Sequence, residues 1–172
     1  MFSPERTSIR QVASGIRKGI KYGYIRSGMF VVDYGGGRFN EGVEFLARHG
    51  VKCVVYDPHA RSMEENLAVI TDVSCRGGAD CVMLNNVLNV IPDALVRRHV
   101  IQSAWGMTRK GGTLLITVYR GDSSGVGSRR DFSDGSWTWQ ENRLIRDYFK
   151  EVVDALPDDV SVDVKYGMMI VR

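Results

Sequence analysis

The most informative part of this sequence reads Val31-Val32-Asp33-Tyr34-Gly35-Gly36-Gly37-Arg38-Phe39-Asn40. An apolar run short enough to be a buried strand delivers an acidic residue into a glycine turn, and the turn opens a helix. Glycines allow a tight turn there and let a ligand approach main-chain N–H groups closely. The stretch therefore predicts a strand, a ligand-binding loop and a helix in that order.

A second acidic residue, Asp57, ends the next predicted strand, at positions 51–57. A carboxylate about 20 residues after a glycine loop is typical of a group that accepts hydrogen bonds from ribose hydroxyls. Together the two features predict a nucleoside-binding half-site. Dinucleotide-binding proteins show a similar pair, but the spacing Gly35-x-Gly37-x-x-Asn40 lacks the third glycine and the carboxylate of Asp33 would repel a pyrophosphate. A cationic nucleoside removes that conflict.

The remaining pattern alternates helices with strands. Apolar residues recur at helical spacing from Ile9 to Ile20, so the N-terminal segment 1–26 is predicted to carry an amphipathic helix. Helices are expected over 39–48 and, after the Ser62-x-x-Glu65 capping box, over 63–69. Strands are expected at 80–85 and 113–119, with a weak third strand near Ile70 and Pro92 in the first turn of another helix. Such alternation implies parallel pairing with helices on both faces of one sheet.

The C-terminal third begins with a segment, 120–136, that is rich in Gly, Ser, Asp and Arg and has no apolar periodicity. Its length exceeds that of most ordered connections, so we predict a mobile lid. Thr138 and Glu141 repeat the capping-box spacing, and the apolar residues Leu144, Ile145, Tyr148, Phe149, Val152 and Val153 continue the predicted helix. The tail 160–172 is strand-like, with a hairpin expected around Gly167. We expect one domain over 1–172: a Rossmann-like three-layer α/β/α sandwich, mostly parallel, with an antiparallel C-terminal strand.

Composition narrows the class of protein. The chain of 172 residues is 44% hydrophobic and 25% charged, which is ordinary for a globular domain. It carries no stretch of about 20 apolar residues and no signal-peptide pattern, so we expect a cytoplasmic protein that does not enter membranes. Cys53, Cys75 and Cys81 lack metal-ligand spacing, and we expect reduced thiols and no metal site. The net charge of +3 is too small to establish nucleic-acid binding, although six basic residues face a single acidic one in the first 26.

Four ordered segments resemble the class I S-adenosylmethionine-dependent methyltransferases. Residues 32–37 resemble their cofactor loop, 55–57 their ribose-binding acidic position, 84–91 the segment after strand four and 109–114 the turn into strand five. A narrower likeness links the chain to small methyltransferases of bacteriophages and bacterial DNA-modification neighbourhoods, through residues 7–10, 56–58, 86–91 and 135–140. The resemblance implies methyl transfer, with S-adenosylmethionine as cofactor and S-adenosylhomocysteine as product.

The resemblance also implies roles for individual residues. Asp33, Gly35 and Gly37 would line the methionyl end of the cofactor and Asp57 the ribose. Asp72 or Val73 would form the adenine edge, and Asn85 with Asn86 the floor near the sulfur. The full predicted set of cofactor-binding residues is Asp33, Tyr34, Gly35, Gly36, Gly37, Asn40, Asp57, Pro58, Asp72, Val73, Asn85 and Asn86.

The acceptor of the methyl group is left open between a nucleic acid and a small molecule. In-line displacement at a carbon activated by a sulfonium gains much of its rate from alignment and exclusion of water, so no catalytic base is assigned. The chain has no Pro-Cys pair, which excludes covalent cytosine C5 chemistry, and its Asn85-Asn86-Val87-Leu88 segment departs from the pattern of nucleobase amino-group enzymes. Two rival hypotheses are a nicotinamide-dependent oxidoreductase and a cofactor-binding subunit that requires a protein partner for activity.

Overall fold

A computed structural model describes residues 1–172. The strands are β1 (Phe30–Tyr34), β2 (Lys52–Tyr56), β3 (Ala79–Asn85), β4 (Thr108–Thr117), β5 (Ser128–Asp131), β6 (Trp137–Gln140), β7 (Val162–Lys165) and β8 (Met168–Val171). The α-helices are α1 (Ser14–Lys21), α2 (Glu41–Ala47), α3 (Met63–Cys75), α4 (Ala94–Gly106) and α5 (Phe149–Ala155). Short 3-10 turns cover Pro4–Thr7, Leu88–Val90 and Ile145–Tyr148. None of the helices has the length and apolar character that crossing a bilayer requires.

Six strands form the main sheet in the order β2-β1-β3-β4-β8-β7. The first four are parallel, because a helix returns the chain between each of them, whereas β8 runs antiparallel to β4 and β7 antiparallel to β8. The hairpin predicted around Gly167 joins the last two strands. The predicted Rossmann-like fold, mostly parallel with an antiparallel C-terminal strand, is therefore confirmed.

Helices cover both faces of this sheet. Because side chains alternate along a strand, Cys81 and Met83 of β3 pack toward Ile16 of α1 and Leu46 of α2, and the residues between them point the other way. The opposite face is covered by three helices, through the buried residues Val69, Val73, Ile101, Ala104, Val152 and Ala155. Both apolar clusters lie below the carboxyl edge of the parallel strands, which leaves that edge free for polar groups.

The N-terminal helix is shorter than predicted. It begins at Ser14, and the residues before it form a 3-10 turn at Pro4–Thr7 and an irregular segment. Gly15, Ile16 and Gly19 form the buried face of α1, whereas Ile9 is 58% exposed. The apolar spacing that starts at Ile9 does lead into α1. Its first residues, however, belong to an irregular segment at the carboxyl edge of the sheet and do not pack on the face of the sheet.

The region between β2 and β3 contains one helix and no strand. The capping box of Ser62 and Glu65 forms as predicted, with Ser62 N–H donating to Glu65 at 2.8 Å and Glu65 N–H donating to the Ser62 hydroxyl at 3.2 Å. The helix then continues to Cys75, because Val69 and Val73 extend its buried face. The weak third strand predicted near Ile70 is therefore wrong, and β2 is left as an edge strand of the sheet.

The segment 120–136 is not a structureless loop. Its second half forms β5, which pairs with β6 in an antiparallel hairpin. The helix predicted to begin near Thr138 starts later than expected, since 137–140 is a strand and the helical residues are the 3-10 turn Ile145–Tyr148 and α5 (Phe149–Ala155). Trp137 exchanges main-chain hydrogen bonds of 2.9 Å with Met1 and Ser3, and such a long-range pairing outweighs the local capping pattern.

Candidate functional site

A cleft opens at the carboxyl ends of β1, β2 and β3, where open α/β sheets bind ligands. Its walls come from the loops that follow these strands, from α4 and from the N-terminal segment, and 13 of its 29 lining residues are hydrophobic. The cleft therefore offers both polar loops and apolar side chains to a ligand.

The glycine loop after β1 lines the cleft and cannot carry side chains. Gly35 and Gly37 have φ angles of +77° and +75°, a region that other residues rarely adopt. A Cβ on Gly36 would lie 2.7 Å from Oδ2 of Asp33, and one on Gly35 would lie 2.6 Å from Val87. The loop thus presents bare backbone to the cleft, as close approach of a ligand requires.

Three polar side chains from neighbouring strands are joined above the sheet. Asn85 donates through Nδ2 to Asp33 at 3.0 Å, and its Oδ1 accepts from the Thr117 hydroxyl at 3.2 Å. Burial raises the pKa of Asp33 to about 6, an effect that the Asn85 hydrogen bond opposes and the charge of Asp57 reinforces. Asp33 is therefore a desolvated carboxylate that forms no ion pair, and its charge is offset by the Asn85 amide and by the more distant charge of Arg61.

Asp57 is buried at the end of β2, and backbone N–H groups of the chain use most of the hydrogen-bonding capacity of its carboxylate. Its Oδ2 accepts from Gly37 N–H at 2.9 Å, while its Oδ1 accepts from His59 N–H at 2.9 Å and from Ala60 N–H at 3.0 Å. A carboxylate offers about four lone-pair sites, so roughly one remains for a ligand. Asp57 fixes the glycine loop against the turn after β2 before any ribose contact is made.

Arg61 holds the same loop from the other side, a role that the sequence did not reveal. Its Nε donates to the Gly37 carbonyl at 2.9 Å, and its Nη2 donates to the Phe39 carbonyl at 3.2 Å and to Asn40 Oδ1 at 2.7 Å. The side chain is only 13% exposed. Gly37 is therefore clamped through both its N–H and its C=O by the turn that follows β2.

Asn86 adopts the left-handed conformation, with a φ of +57°, immediately after β3. Its N–H donates to the Thr117 carbonyl at 2.9 Å, and the residue lines the cleft beside Asn85. Asparagine tolerates this conformation better than most residues. The turn brings an amide side chain into the centre of the cleft wall.

An apolar wall completes the cleft on the side of α4. It contains Val87 and, from the helix, Val96 and Val100, and Pro58 and His59 from the turn after β2 also line the cleft. These valines were not predicted as site residues, because apolar residues at helical spacing are typical of any packing face. The wall is suited to a flat apolar group such as a purine.

The N-terminal segment covers the cleft. Phe2, Thr7 and Ser8 are among its lining residues, and a Cβ on Gly37 would lie 2.6 Å from the Ser8 hydroxyl. The segment is tied to the β5–β6 hairpin by the rings of Phe2 and Trp137, whose centroids are 4.7 Å apart, and by an ion pair between Arg6 and Asp134. The segment 120–136, predicted as a lid, does not itself line the cleft and is linked to it through these N-terminal residues. Its role as a lid stays a prediction.

The charge of the cleft is strongly one-sided. Its lining includes four carboxylates and neither lysine nor arginine, although the whole chain has a net charge of +3. The acidic lining residues are Glu5, Asp33, Glu41 and Asp57. Glu41 is paired with Arg10 at 3.1 Å. The unpaired negative charge therefore comes from Glu5, Asp33 and Asp57, and it favours a bound cation over a bound polyanion.

The structure brings together most of the predicted site residues. Those that line the cleft are Asp33, Tyr34, Gly35, Gly36, Gly37, Asp57, Pro58, Asn85 and Asn86. Asn40 instead lies on the surface before α2 and accepts a hydrogen bond from Arg61. Asp72 and Val73 belong to α3, where Asp72 pairs with Lys52 at 2.6 Å and Val73 is buried in the core. The assignment of Asp72 or Val73 to an adenine edge does not fit this placement, because the loop that it requires is a helix.

No protein-family model and no curated protein sequence matches this chain. Solved structures do match. The glycopeptide N-methyltransferase MtfA is 12% identical, with 96% of this chain and 93% of that one covered and a TM-score of 0.55. The CcbJ methyltransferase from Streptomyces caelestis is 8% identical over 98% and 91% of the two chains, with a TM-score of 0.59. An S-adenosylmethionine-dependent methyltransferase from Clostridium acetobutylicum ATCC 824 is 11% identical over 91% and 88%, with a TM-score of 0.56. At these identities the likeness concerns architecture, and the chain has the Rossmann-like fold seen in these methyltransferases.

Proposed function

We propose that this chain binds S-adenosylmethionine in the cleft and transfers its methyl group to an acceptor. The observation that carries the proposal is the combination of a bare glycine loop with four carboxylates and no lysine or arginine in the lining. At neutral pH the cofactor carries an ammonium, a carboxylate and a sulfonium, and its net positive charge suits such a lining. Solved structures with the same fold are methyltransferases, and MtfA has also been solved in complex with sinefungin.

The proposed contacts follow the walls of the cleft. Asp33 would face the positively charged end of the cofactor, and the backbone of residues 35–37 would lie along its methionyl chain. The apolar wall of Val87, Val96 and Val100 takes the adenine in place of Asp72 and Val73. Asp57 would offer its remaining acceptor capacity to the ribose. When bound, the cofactor supplies an electrophilic methyl carbon.

The residues of the chain contribute alignment and exclusion of water. The hydrogen-bonded series of Asp33, Asn85 and Thr117 is rigid, because it spans three adjacent strands. Phe2 and neighbouring residues of the N-terminal segment cover the reacting region and keep bulk water out. Alignment and desolvation are the main contributions that an in-line displacement at a sulfonium requires.

A nicotinamide-dependent reaction is less well supported by the same lining. A dinucleotide would bring a pyrophosphate with two negative charges into a cleft with four carboxylates and no lysine or arginine. For the methyl acceptor we propose only its class, which is either a small molecule or a nucleic acid. The narrower likeness to methyltransferases of phages and DNA-modification neighbourhoods stays a prediction.

Titration calorimetry with S-adenosylhomocysteine and sinefungin tests the proposal. We expect saturable binding of both compounds to the wild type and none of a reduced nicotinamide dinucleotide. Asp57→Ala should abolish binding, because Gly37 N–H loses its acceptor, whereas Asp163→Ala, an exposed aspartate on β7, should leave it unchanged. A wild type that binds neither analogue would reject the proposal, and tight binding without transfer of a tritiated methyl group to any pool would favour a subunit that needs a partner.

A further inference from the structure

The outer side of α1 carries positive charges that no carboxylate neutralises. Arg17, Lys18 and Lys21 take part in none of the ion pairs of the structure, whereas Arg6 and Arg10 earlier in the chain pair with Asp134 and Glu41. The opposite side of the helix, formed by Gly15, Ile16 and Gly19, is buried against the sheet. These cations therefore lie on the side of the helix away from the sheet, where the Arg17 guanidinium stands over the ring of Phe45, 5.0 Å from its centroid.

Two tyrosines extend this charged strip. The rings of Tyr22, at the end of α1, and Tyr166, in the turn between β7 and β8, are stacked with centroids 3.9 Å apart and planes inclined by 8°. Both residues remain substantially exposed, at 36% and 54%. Lys21 Nζ lies 5.3 Å from the centroid of the Tyr22 ring, and Lys18 Nζ donates to the Gly167 carbonyl at 3.5 Å. We call Arg17, Lys18, Lys21, Tyr22 and Tyr166 the basic-aromatic surface.

The backbone of Tyr166 indicates that the ring is held in place against local preference. Tyr166 and Gly167 form a two-residue hairpin turn with φ angles of +57° and +69°. Such turns favour Asn or Asp before the glycine, and a bulky residue rarely adopts a positive φ. Strained conformations persist where the surrounding structure imposes them and are concentrated at functional sites. Here the strained residue places an aromatic ring on Tyr22, close to Lys18 and Lys21.

We propose that the basic-aromatic surface binds single-stranded nucleic acid. Phosphates would be held by Arg17 and Lys21, and an unpaired base would stack on the outer face of the tyrosine pair, which is how proteins bind single strands without reading their sequence. The helix that carries the surface also borders the cleft, through Ile16 on its buried side. Binding of a strand here does not depend on the proposed cofactor.

Fluorescence anisotropy with labelled 12-nucleotide DNA and RNA strands of one sequence tests the proposal. We expect both strands to bind at low salt and more tightly than the corresponding duplex. Each phosphate contact on a single strand contributes about −0.7 to the slope of log affinity against log salt. Arg17→Gln/Lys21→Gln should therefore weaken binding and reduce the magnitude of that slope by about 1.4. DNA and RNA that bind equally would indicate contacts to phosphate and base alone, and preferential binding of RNA would add contacts to the 2′-hydroxyl on the same surface.

Two further variants distinguish binding at this surface from the effect of total charge and from loss of folding. Arg98→Gln/Lys110→Gln removes two exposed cations that lie outside the basic-aromatic surface and form no ion pair. This double variant should leave the affinity within two-fold of the wild type. Tyr166→Asn removes the ring but suits the turn, so it should weaken binding five-fold or more while the melting temperature is unchanged or higher. Absence of saturable binding by the wild type, preference for the duplex, or equal losses in the two double variants would overturn the proposal.

Discussion

Asn85 and Asp33 are joined by a hydrogen bond of 3.0 Å across two adjacent parallel strands, with the amide donating to a buried carboxylate. The carboxylate is among the few buried charged groups of the chain, and no lysine or arginine pairs with it. Such an arrangement reduces the stability of the free protein and favours a ligand that brings a positive charge. The first two predictions follow from it.

Asp33→Asn should stabilise the free protein. Burial raises the pKa of Asp33 from 3.8 to about 6, so the folded state binds more protons than the unfolded state between those values and stability from this group falls as pH rises through that window. At pH 7 the cost is at most about 3 kcal/mol, from roughly 1.4 kcal/mol per pKa unit. Urea unfolding should therefore show a higher free energy of unfolding for the variant at pH 7 and a shrinking difference toward pH 4. A variant that is less stable at pH 7 would contradict this reading of the carboxylate.

The pH dependence of ligand binding should also report the protonation of Asp33. Protonation of Asp33 below a pH of about 6 removes the negative charge that faces the cofactor. The affinity for sinefungin, which carries an amine near the position of the sulfonium, should fall as pH decreases from 7.5 to 5. Calorimetry across this range measures the effect, and Asp33→Asn should bind weakly with little pH dependence. An affinity that is flat in the wild type would argue against contact between Asp33 and the positive end.

Gly15→Ala should disturb the positions of Asn85 and Thr117, because Gly15 of α1 packs against both side chains. A Cβ at this position of α1 would lie 2.0 Å from Asn85 Oδ1 and 2.7 Å from the Thr117 hydroxyl. Overpacking of this kind costs about 1–3 kcal/mol, more than the ~1 kcal/mol that alanine gains over glycine in a helix. We expect a lower melting temperature and a loss of analogue binding. The matched change Gly106→Ala, in α4 with no atom within 4 Å of the new Cβ, should be neutral or stabilising and should leave binding intact.

Arg61→Gln should weaken cofactor binding without unfolding the chain. The substitution removes the donors that hold the carbonyls of Gly37 and Phe39, and hydrogen bonds to a charged group contribute about 1.5–3 kcal/mol each. Titration of S-adenosylhomocysteine should show an affinity at least ten-fold lower, partly restored in Arg61→Lys. Arg76→Gln serves as the control, because Arg76 pairs with Asp72 outside the cleft. Equal effects of the two substitutions would remove the special role of Arg61.

The sequence was most informative where the signal is local. The glycine turn after Asp33, the capping box at Ser62 and the strand-like tail each depend on residues close together in the chain, and each has the predicted form. Nine of the twelve predicted cofactor residues also line one cleft, because the carboxyl ends of parallel strands meet at one edge.

The predictions from the sequence were wrong where contacts between distant residues determine the structure. Thr138 and Glu141 show the same spacing as Ser62 and Glu65, yet residues 137–140 form a strand that pairs with β5 and with the N-terminal residues. Arg61 gave no signal because its partners are backbone carbonyls 22 and 24 positions away. A local pattern contains no information about such partners.

A crystal structure of the wild type grown with sinefungin tests the central claim most directly. We expect the analogue to lie between residues 35–37 and the wall of Val96 and Val100, with its amine directed toward Asp33. A cleft that stays empty at saturating sinefungin, or an analogue bound with its positive end away from that carboxylate, would contradict it.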